Sequence, residues 1–140
     1  MRFFFLSILF IFSFLHSWSQ SLSGEWKGSF TDDQNLDKEF PIKLYFQQDK
    51  DSSYNIYSYS KGIDTIVVCS MAYTFSGDSV FLQEKEILKP KKVNAVCLQK
   101  MFLKLKSNKS GYTLEGNWEC LLGRSYGYGK IYFTKKKTVK

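Results

Sequence analysis

The stretch LSGEWKGSF, residues 22–30, indicates how this chain begins to fold. Gly24, Trp26, Gly28 and Phe30 recur at every second position, so an extended strand points all four to one face. Small and large side chains alternate on that face, which is how the tapering end of a small β-barrel is filled. We therefore predict a first strand that closes one end of a barrel, with Trp26 as a plug rather than a ligand contact.

The chain beyond this stretch alternates short aromatic or β-branched runs with breaks rich in Gly, Asn, Asp and Ser. Short breaks between successive strands predict antiparallel neighbours, and closure removes exposed sheet edges. The predicted fold is all-β, an antiparallel eight-stranded up-and-down barrel, with a two-sheet β-sandwich as the alternative. The eight predicted strands are 24–30, 41–48, 53–60, 65–75, 79–88, 95–106, 112–121 and 128–134.

The first 19 residues have the layout of an export signal. Arg2 supplies the positive charge, residues 3–15 form an apolar run, and Ser17 and Ser19 are the small residues before the expected cleavage site. We expect a cleaved signal peptide, 1–19, and one barrel domain, 20–140, with a basic C-terminal tail at 135–140. The mature chain would have no transmembrane span and would be periplasmic, displayed on the cell surface or secreted.

Histidine chemistry is excluded by composition, because the only histidine, His16, lies in the predicted signal. A Ser–His or Cys–His pair and an imidazole zinc site therefore cannot form in the mature chain. Glu84 and Glu86 are two residues apart on one strand, whereas paired glycosidase carboxylates usually face each other across a cleft. We interpret them as a solvated strand end, and we expect a non-enzymatic protein without a metal or a cofactor.

Three cysteines remain in the predicted mature chain, and export favours their pairing. If the hairpin within 95–121 turns between Asn108 and Lys109, Leu103 lies opposite Leu114 and Cys97 lies opposite Cys120. Directly opposed strand residues are close enough for a disulfide. The pattern predicts a Cys97–Cys120 disulfide and a free Cys69; three unpaired, buried thiols are the alternative.

Gly24-Glu25-Trp26 at the head of an eight-stranded meander resembles the calycin families, the lipocalins and avidins. In lipocalins, the Trp of a Gly-x-Trp motif closes the narrow end of the barrel under a basic side chain. The resemblance implies that Arg124, just before the last strand, is that partner. Trp118 falls where avidins place a stacking Trp, but the second ligand Trp is missing, so the resemblance does not imply biotin binding.

The function predicted from these features is binding of a small apolar or anionic ligand of lipid or glycan type. The alternative is a periplasmic or surface protein–protein interaction module, or an inhibitor, with a solid core. Ligand-binding candidates come from the inward aromatic set and from the Gly-rich entry to the last strand. They are Trp26, Met101, Tyr112, Trp118, Arg124, Tyr126 and Tyr128.

Removal of Arg2 lowers the formal net charge from +7 to +6. We expect a row formed by Lys100, Lys104 and Lys106 to make one outer wall basic, and lysines around Pro90 to form a second cluster. An exported basic chain fits an anionic surface or an envelope protein rather than nucleic acid. The acidic segment around Asp32 and Asp33 is expected to be a polar connection, either a mobile loop or a weak cation site.

Overall fold

The computed structural model of the chain describes residues 22–61, 65–91, 97–122 and 125–138, and of 121–126 at most the backbone. The predicted signal peptide and Arg124 therefore lie outside the described residues. The described part contains eight β-strands: β1 (Gly24–Asp32), β2 (Asn35–Gln48), β3 (Tyr54–Lys61), β4 (Ile66–Ser76), β5 (Ser79–Lys89), β6 (Lys100–Ser107), β7 (Gly111–Leu122) and β8 (Ser125–Lys136).

Each strand pairs in antiparallel fashion with the next one along the chain, and β1 pairs with β8 to close the barrel. The predicted eight-stranded up-and-down barrel is confirmed, and the sandwich alternative is wrong. Closure is made by four residue pairs, which join Lys27–Phe30 of β1 to Ile131–Thr134 of β8. At Gly28 a β-carbon would lie 1.9 Å from the carbonyl oxygen of Tyr132, so the two strands can meet there only because Gly28 has no side chain.

The barrel has two ends, which we call the Trp26 end and the far end. The connections β2–β3, β4–β5 and β6–β7 lie at the Trp26 end, and the other four lie at the far end. Alternate residues of all eight strands face inward, and those on the barrel axis are almost fully buried. The largest of these core side chains are Trp26, Phe46, Phe133, Ile42, Leu44, Ile56, Leu82, Met101 and Leu114.

The first hairpin differs from the sequence prediction. The expected polar connection between 30 and 41 is a two-residue turn, because β1 continues to Asp32 and β2 begins at Asn35. The Asp32 carboxylate accepts the backbone N–H groups of Gln34 and Asn35 at 2.9 and 2.6 Å, which stabilises the turn. The expected loop or cation site is therefore an ordered turn whose carboxylate is already occupied by N–H donors.

The β6–β7 hairpin also differs, by two residues in register. Leu103 lies opposite Gly116, not Leu114, and Leu105 lies opposite Leu114. The turn is centred one residue later than expected, and the Asn108 side chain stabilises it by accepting the N–H groups of Ser110 and Gly111, both at 2.9 Å. A shift of two residues keeps every side chain on its predicted face.

The start of β6 and the end of β8 also differ from the predicted strand bounds. β6 begins at Lys100 rather than 95, and residues 97–99 precede it without strand geometry. β8 extends to Lys136, two residues into the segment expected to be a basic tail.

The predicted disulfide between Cys97 and Cys120 is confirmed, with 5.8 Å between the two Cα atoms. Cys120 lies in β7, whereas Cys97 precedes β6, so the bridge ties the segment 97–99 to the barrel wall rather than joining two ladder partners. Cys69 is free and buried, as expected.

We predict that Gly28→Ala lowers the free energy of unfolding by about 2 kcal/mol or more, because the added methyl group overlaps the β8 backbone. Ser29→Ala is the matched control on the next residue, whose exposed hydroxyl contacts Glu39, and we expect a change below about 0.5 kcal/mol. Urea unfolding of both variants is the measurement. Equal stability of the two would contradict the closure described for β1 and β8.

Thiol counting should give one reactive thiol per chain after unfolding without reductant and three with reductant. Reduction should also lower the free energy of unfolding by about 3 kcal/mol, the loop-closure effect expected for a 23-residue separation. Peptide mapping by mass spectrometry identifies the bridge. A crosslinked peptide containing Cys69 would show that the pairing is different.

Candidate functional site

Trp26 lies inside the core at its end of the barrel, away from any surface a ligand could reach. Its indole N–H donates to the carbonyl oxygen of Leu22 at 2.8 Å, so the polar edge of the ring is occupied as well. The ammonium of Lys135 on β8 lies 5.7 Å from the ring centroid. Lys135 thus provides the basic side chain that the lipocalin resemblance assigned to Arg124, which is outside the described residues.

Met101 lies opposite Trp118 but faces the core, and Tyr112 lies at the other end of β7 from Trp118. Met101 is fully buried in the core on β6. Tyr112 lies near the Trp26 end of β7, partly buried, and its ring is 5.4 Å from the ammonium of Lys137. Tyr126 pairs through its backbone with Leu121, and its side chain lies outside the described residues.

Trp118 is 5% exposed and belongs to the core, and it meets the exposed Tyr128 in the lining of a groove on the outside of the barrel near the far end. We call it the outer groove; its volume is about 670 Å³. One wall is the β1–β2 hairpin, and the rest is formed by β6, β7 and β8. Its lining includes Leu36, Phe102, Asn117, Trp118, Tyr128 and Lys130.

The hairpin wall of the outer groove is attached to β8 and β7 by two hydrogen bonds. The backbone N–H of Asp33 donates to the carbonyl oxygen of Tyr128 at 3.0 Å. The indole N–H of Trp118 donates to the carbonyl oxygen of Thr31 at 2.7 Å. At Gly129 a β-carbon would lie 1.8 Å from that same carbonyl, so the hairpin reaches β8 only because residue 129 is glycine.

The outer groove has an apolar lining with a polar border. Leu36, Phe102 and Tyr128 all expose much of their side chains, Tyr128 to 50%. The Lys130 ammonium donates to the side-chain oxygen of Asn117 at 2.9 Å, so this amide is held in a defined orientation. The same border carries the negative charges of Asp33 and Glu119 and the positive charge of Lys130. The lining of the groove therefore contains charges of both signs.

The outer groove continues across β6 into a second, shallower groove of about 310 Å³. Phe102 and Asn117 line both. Phe81 on β5 lies beside Phe102, with 5.2 Å between the ring centroids. The outside of β5–β8 therefore presents an elongated surface on which aromatic rings are followed by amide and charged groups.

A polar cluster inside the barrel was not predicted. Glu84, interpreted from sequence as part of a solvated strand end, is 4% exposed and points inward, whereas Glu86 is exposed. The Ser58 hydroxyl donates to one carboxyl oxygen at 2.5 Å, and the backbone N–H of Gln99 donates to the other at 2.8 Å. Glu84 thus connects β3 and β5 to the segment that the disulfide holds.

Burial raises the pKa of Glu84, and the hydrogen bonds from Gln99 and Ser58 oppose this effect without cancelling it. Cys69 on β4 lies opposite Ser58, and burial together with the Glu84 charge raises the pKa of its thiol to about 11. The thiol is therefore protonated and unreactive at neutral pH. The strand alternation could have indicated an inward Glu84, since Val80 and Leu82 precede it at even spacing.

The basic outer wall expected from Lys100, Lys104 and Lys106 is partly neutralised. Lys104 pairs with Asp78 at 2.8 Å, and Lys106 pairs with Glu115 on the neighbouring strand. Both acids lie beside these lysines because of the sheet register, which the sequence did not predict correctly. Only Lys100 of this row has no ion-pair partner among the described residues.

The described residues contain no cluster of three or more His, Cys, Asp or Glu side chains arranged to hold a metal ion. No helix in the described ranges has the length and apolar character needed to cross a bilayer.

No protein-family model and no curated protein sequence matches this chain. Its fold is similar to the solved structure of a redesigned β-barrel, with a TM-score of 0.51 and 8% sequence identity. The alignment covers 85% of this chain and 95% of that one. At this identity the likeness supports the closed antiparallel barrel and assigns no family.

The raised pKa of Glu84 predicts a pH dependence of stability. Above pH ~4.5, its usual value, the unfolded carboxyl loses its proton before the folded one, so the folded state loses stability as pH rises through this window. Glu84→Gln removes this slope, so the stability of the variant relative to the parent should rise as pH increases above ~4.5. Glu86→Gln is the exposed control. The free energy of unfolding of the parent and both variants is measured with urea at a series of pH values. If both variants keep the parent's dependence of stability on pH, that dependence does not come from Glu84.

Proposed function

We propose that this chain is an exported, non-enzymatic β-barrel of calycin type that binds an extended, glycan-type ligand in the outer groove. The observation that supports the site is that the exposed side chains of Leu36, Phe102 and Tyr128 line one 670 Å³ groove. Export follows from the predicted signal peptide. The absence of histidine from the predicted mature chain supports a binding role rather than catalysis.

The barrel axis is an unsuitable place for a ligand near Trp26. Phe46, Leu114 and Phe133 are almost fully buried there and belong to the same core as Trp26. A barrel of eight strands is just wide enough for its own side chains or for one small ligand. With those positions filled by core residues, a binding site on the outside of the wall is favoured.

The chemistry of the outer groove favours a glycan over a lipid chain. An acyl chain is best bound in an enclosed apolar cavity, whereas this groove is open along its length. The exposed rings of Phe102 and Tyr128 can stack on the apolar face of a pyranose ring. Asn117, Asp33 and Lys130 are hydrogen-bonding groups of the kind that hydroxyl groups need.

The length of the surface favours an extended ligand. The outer groove and the second groove share Phe102, so several sugar units could lie across β5–β8. The same length fits the second candidate function, recognition of a partner protein by a barrel with a solid core. A polypeptide would use the exposed aromatic rings as anchors.

The calycin part of the proposal is supported by the Trp26 end. Gly24-Glu25-Trp26 begins the first strand, the indole is buried, and a basic side chain from the last strand lies over it. A cation over an indole is worth about 0.5–2 kcal/mol, which helps to hold the last strand against the first. Among the described residues, Lys135 carries that charge; Arg124 lies outside them.

Tyr128→Ala should weaken binding of oligosaccharides by about tenfold or more, ~1.4 kcal/mol, because it removes a ring from the groove wall. Tyr132→Ala is the matched control: it lies on the same strand, is 44% exposed against 50% for Tyr128, and does not line the groove. Calorimetry with a panel of neutral and acidic oligosaccharides, repeated for both variants, is the measurement.

Two results would overturn the proposal. In the first, no oligosaccharide binds, but the chain retains an envelope protein and Tyr128→Ala abolishes that retention. This result would select the protein-interaction alternative. The other is that Tyr128→Ala and Tyr132→Ala weaken glycan binding equally, which would place the ligand elsewhere on the barrel.

A further inference from the structure

Exposed aliphatic side chains are concentrated at the far end of the barrel. Ile66 begins β4 and is 60% exposed; Leu88 ends β5, and Leu98 lies in the segment before β6, at 36% and 37%. Leu36, the other exposed aliphatic residue among the described positions, also lies at this end, in the hairpin wall of the outer groove. An aliphatic patch confined to one rim of a small barrel marks an interaction surface.

The first three of these residues lie on neighbouring strand ends. Ile66 pairs directly with Lys61 of β3. Two residues further along β4, Val68 pairs with Lys89 of β5, next to Leu88. The N–H of Glu84 on β5 donates to the carbonyl oxygen of Gln99 at 2.9 Å, which brings the segment containing Leu98 alongside. Ile66, Leu88 and Leu98 therefore lie at neighbouring strand ends of the far end, and we call this edge the lysine rim.

Among the described residues, the lysine rim carries more positive than negative charge. The exposed glutamate described on this edge is Glu86, and the partly buried Glu119 lies opposite Lys100. Five exposed lysines surround the aliphatic side chains: Lys61, Lys85, Lys89, Lys91 and Lys100.

These five lysines have no acidic partner among the described residues, unlike four of the lysines on the side of the barrel. Lys27, Lys43, Lys104 and Lys106 all form ion pairs with acids on their own or neighbouring strands. None of the five rim ammonium groups forms an ion pair with another residue in the described ranges. The rim thus combines unneutralised positive charge with exposed aliphatic side chains.

We propose that the lysine rim docks on an anionic lipid surface, with Ile66, Leu88 and Leu98 entering the headgroup region and the five lysines contacting lipid phosphates. Charge complementarity selects this occupant, because an uncharged partner or a second copy of the same basic rim would leave the ammonium groups unneutralised or facing each other. Basic residues near an anionic bilayer each contribute about 1 kcal/mol, and small buried apolar side chains add to this. The outer groove lies on β6–β8 and the hairpin, so docking leaves its Tyr128 wall exposed.

The test uses residues 20–140, which contain the whole closed barrel, and vesicles of phosphatidylcholine with and without phosphatidylglycerol. Binding is measured by cosedimentation at two salt concentrations. We expect binding to the anionic vesicles, little binding to phosphatidylcholine alone, and a loss of binding as salt is raised. Binding that is equal for both vesicle types, or absent from both, overturns the proposal.

Matched variants separate the rim from the rest of the surface. Lys61→Glu with Lys89→Glu should weaken vesicle binding by about tenfold or more, and Lys109→Glu, at the opposite end, should have a much smaller effect. Ile66→Ser with Leu98→Ser should weaken it as well, whereas Phe75→Ser, exposed to the same 37% as Leu98 but near the Trp26 end, should not. Circular dichroism confirms that each variant is folded.

Other occupants give different results. If dextran sulfate binds as tightly as the vesicles and the serine variants have no effect, the occupant is an acidic polymer. If the lysine rim instead buries itself in a dimer, gel filtration shows a concentration-dependent shift that Ile66→Ser abolishes. Either result rejects the lipid surface. Glycan binding by Tyr128 is measured separately, so failure here leaves the outer groove proposal intact.

Discussion

The closure of the sheet between β1 and β8 is the constraint on which the other features of this barrel depend. Only four residue pairs join these strands, and Gly28 permits the closest approach between them. Closure at this point brings Lys135 over Trp26 and commits the inward face of every strand to one core. It also leaves the last residues of β1 free to turn away from the ladder and form the hairpin that crosses β8.

Under both proposals, recognition takes place on the outside of the barrel and at its far end, because the core is filled. Large side chains occupy the axis around Trp26, and the outer groove and the lysine rim both carry exposed apolar groups. They lie on different parts of the wall and have different chemistry: the groove has rings with charges of both signs, and the rim has aliphatic side chains with lysines that form no ion pair among the described residues. Glu84 and the Cys97–Cys120 bridge both hold the segment 97–99, which lies between the two surfaces. The same internal contacts therefore support the outer groove and the lysine rim.

Much of the fold and little of the site followed from the sequence. Two-residue alternation in LSGEWKGSF and in the 95–121 hairpin predicted the inward faces, the disulfide and the barrel, since face and spacing are local properties of a strand. The same reasoning missed the two-residue shift between β6 and β7, because the Asn108 turn is stabilised by side-chain hydrogen bonds that do not change the alternation. It also missed Glu84, because whether a strand-end carboxyl is solvated depends on what lies across the barrel.

The sequence by itself determined the number of strands, their antiparallel order, the inward faces of β1, β6 and β7, and the pairing of two of the three cysteines. The tertiary structure alone decided which side chains meet: Lys135 with Trp26, Trp118 with Tyr128 and the first hairpin, and Ser58 with Glu84 and Gln99. The physical reason is distance along the chain. Alternation and turn chemistry act over a few residues, whereas these contacts join residues 10 to more than 100 positions apart, and strand register and barrel closure bring them together.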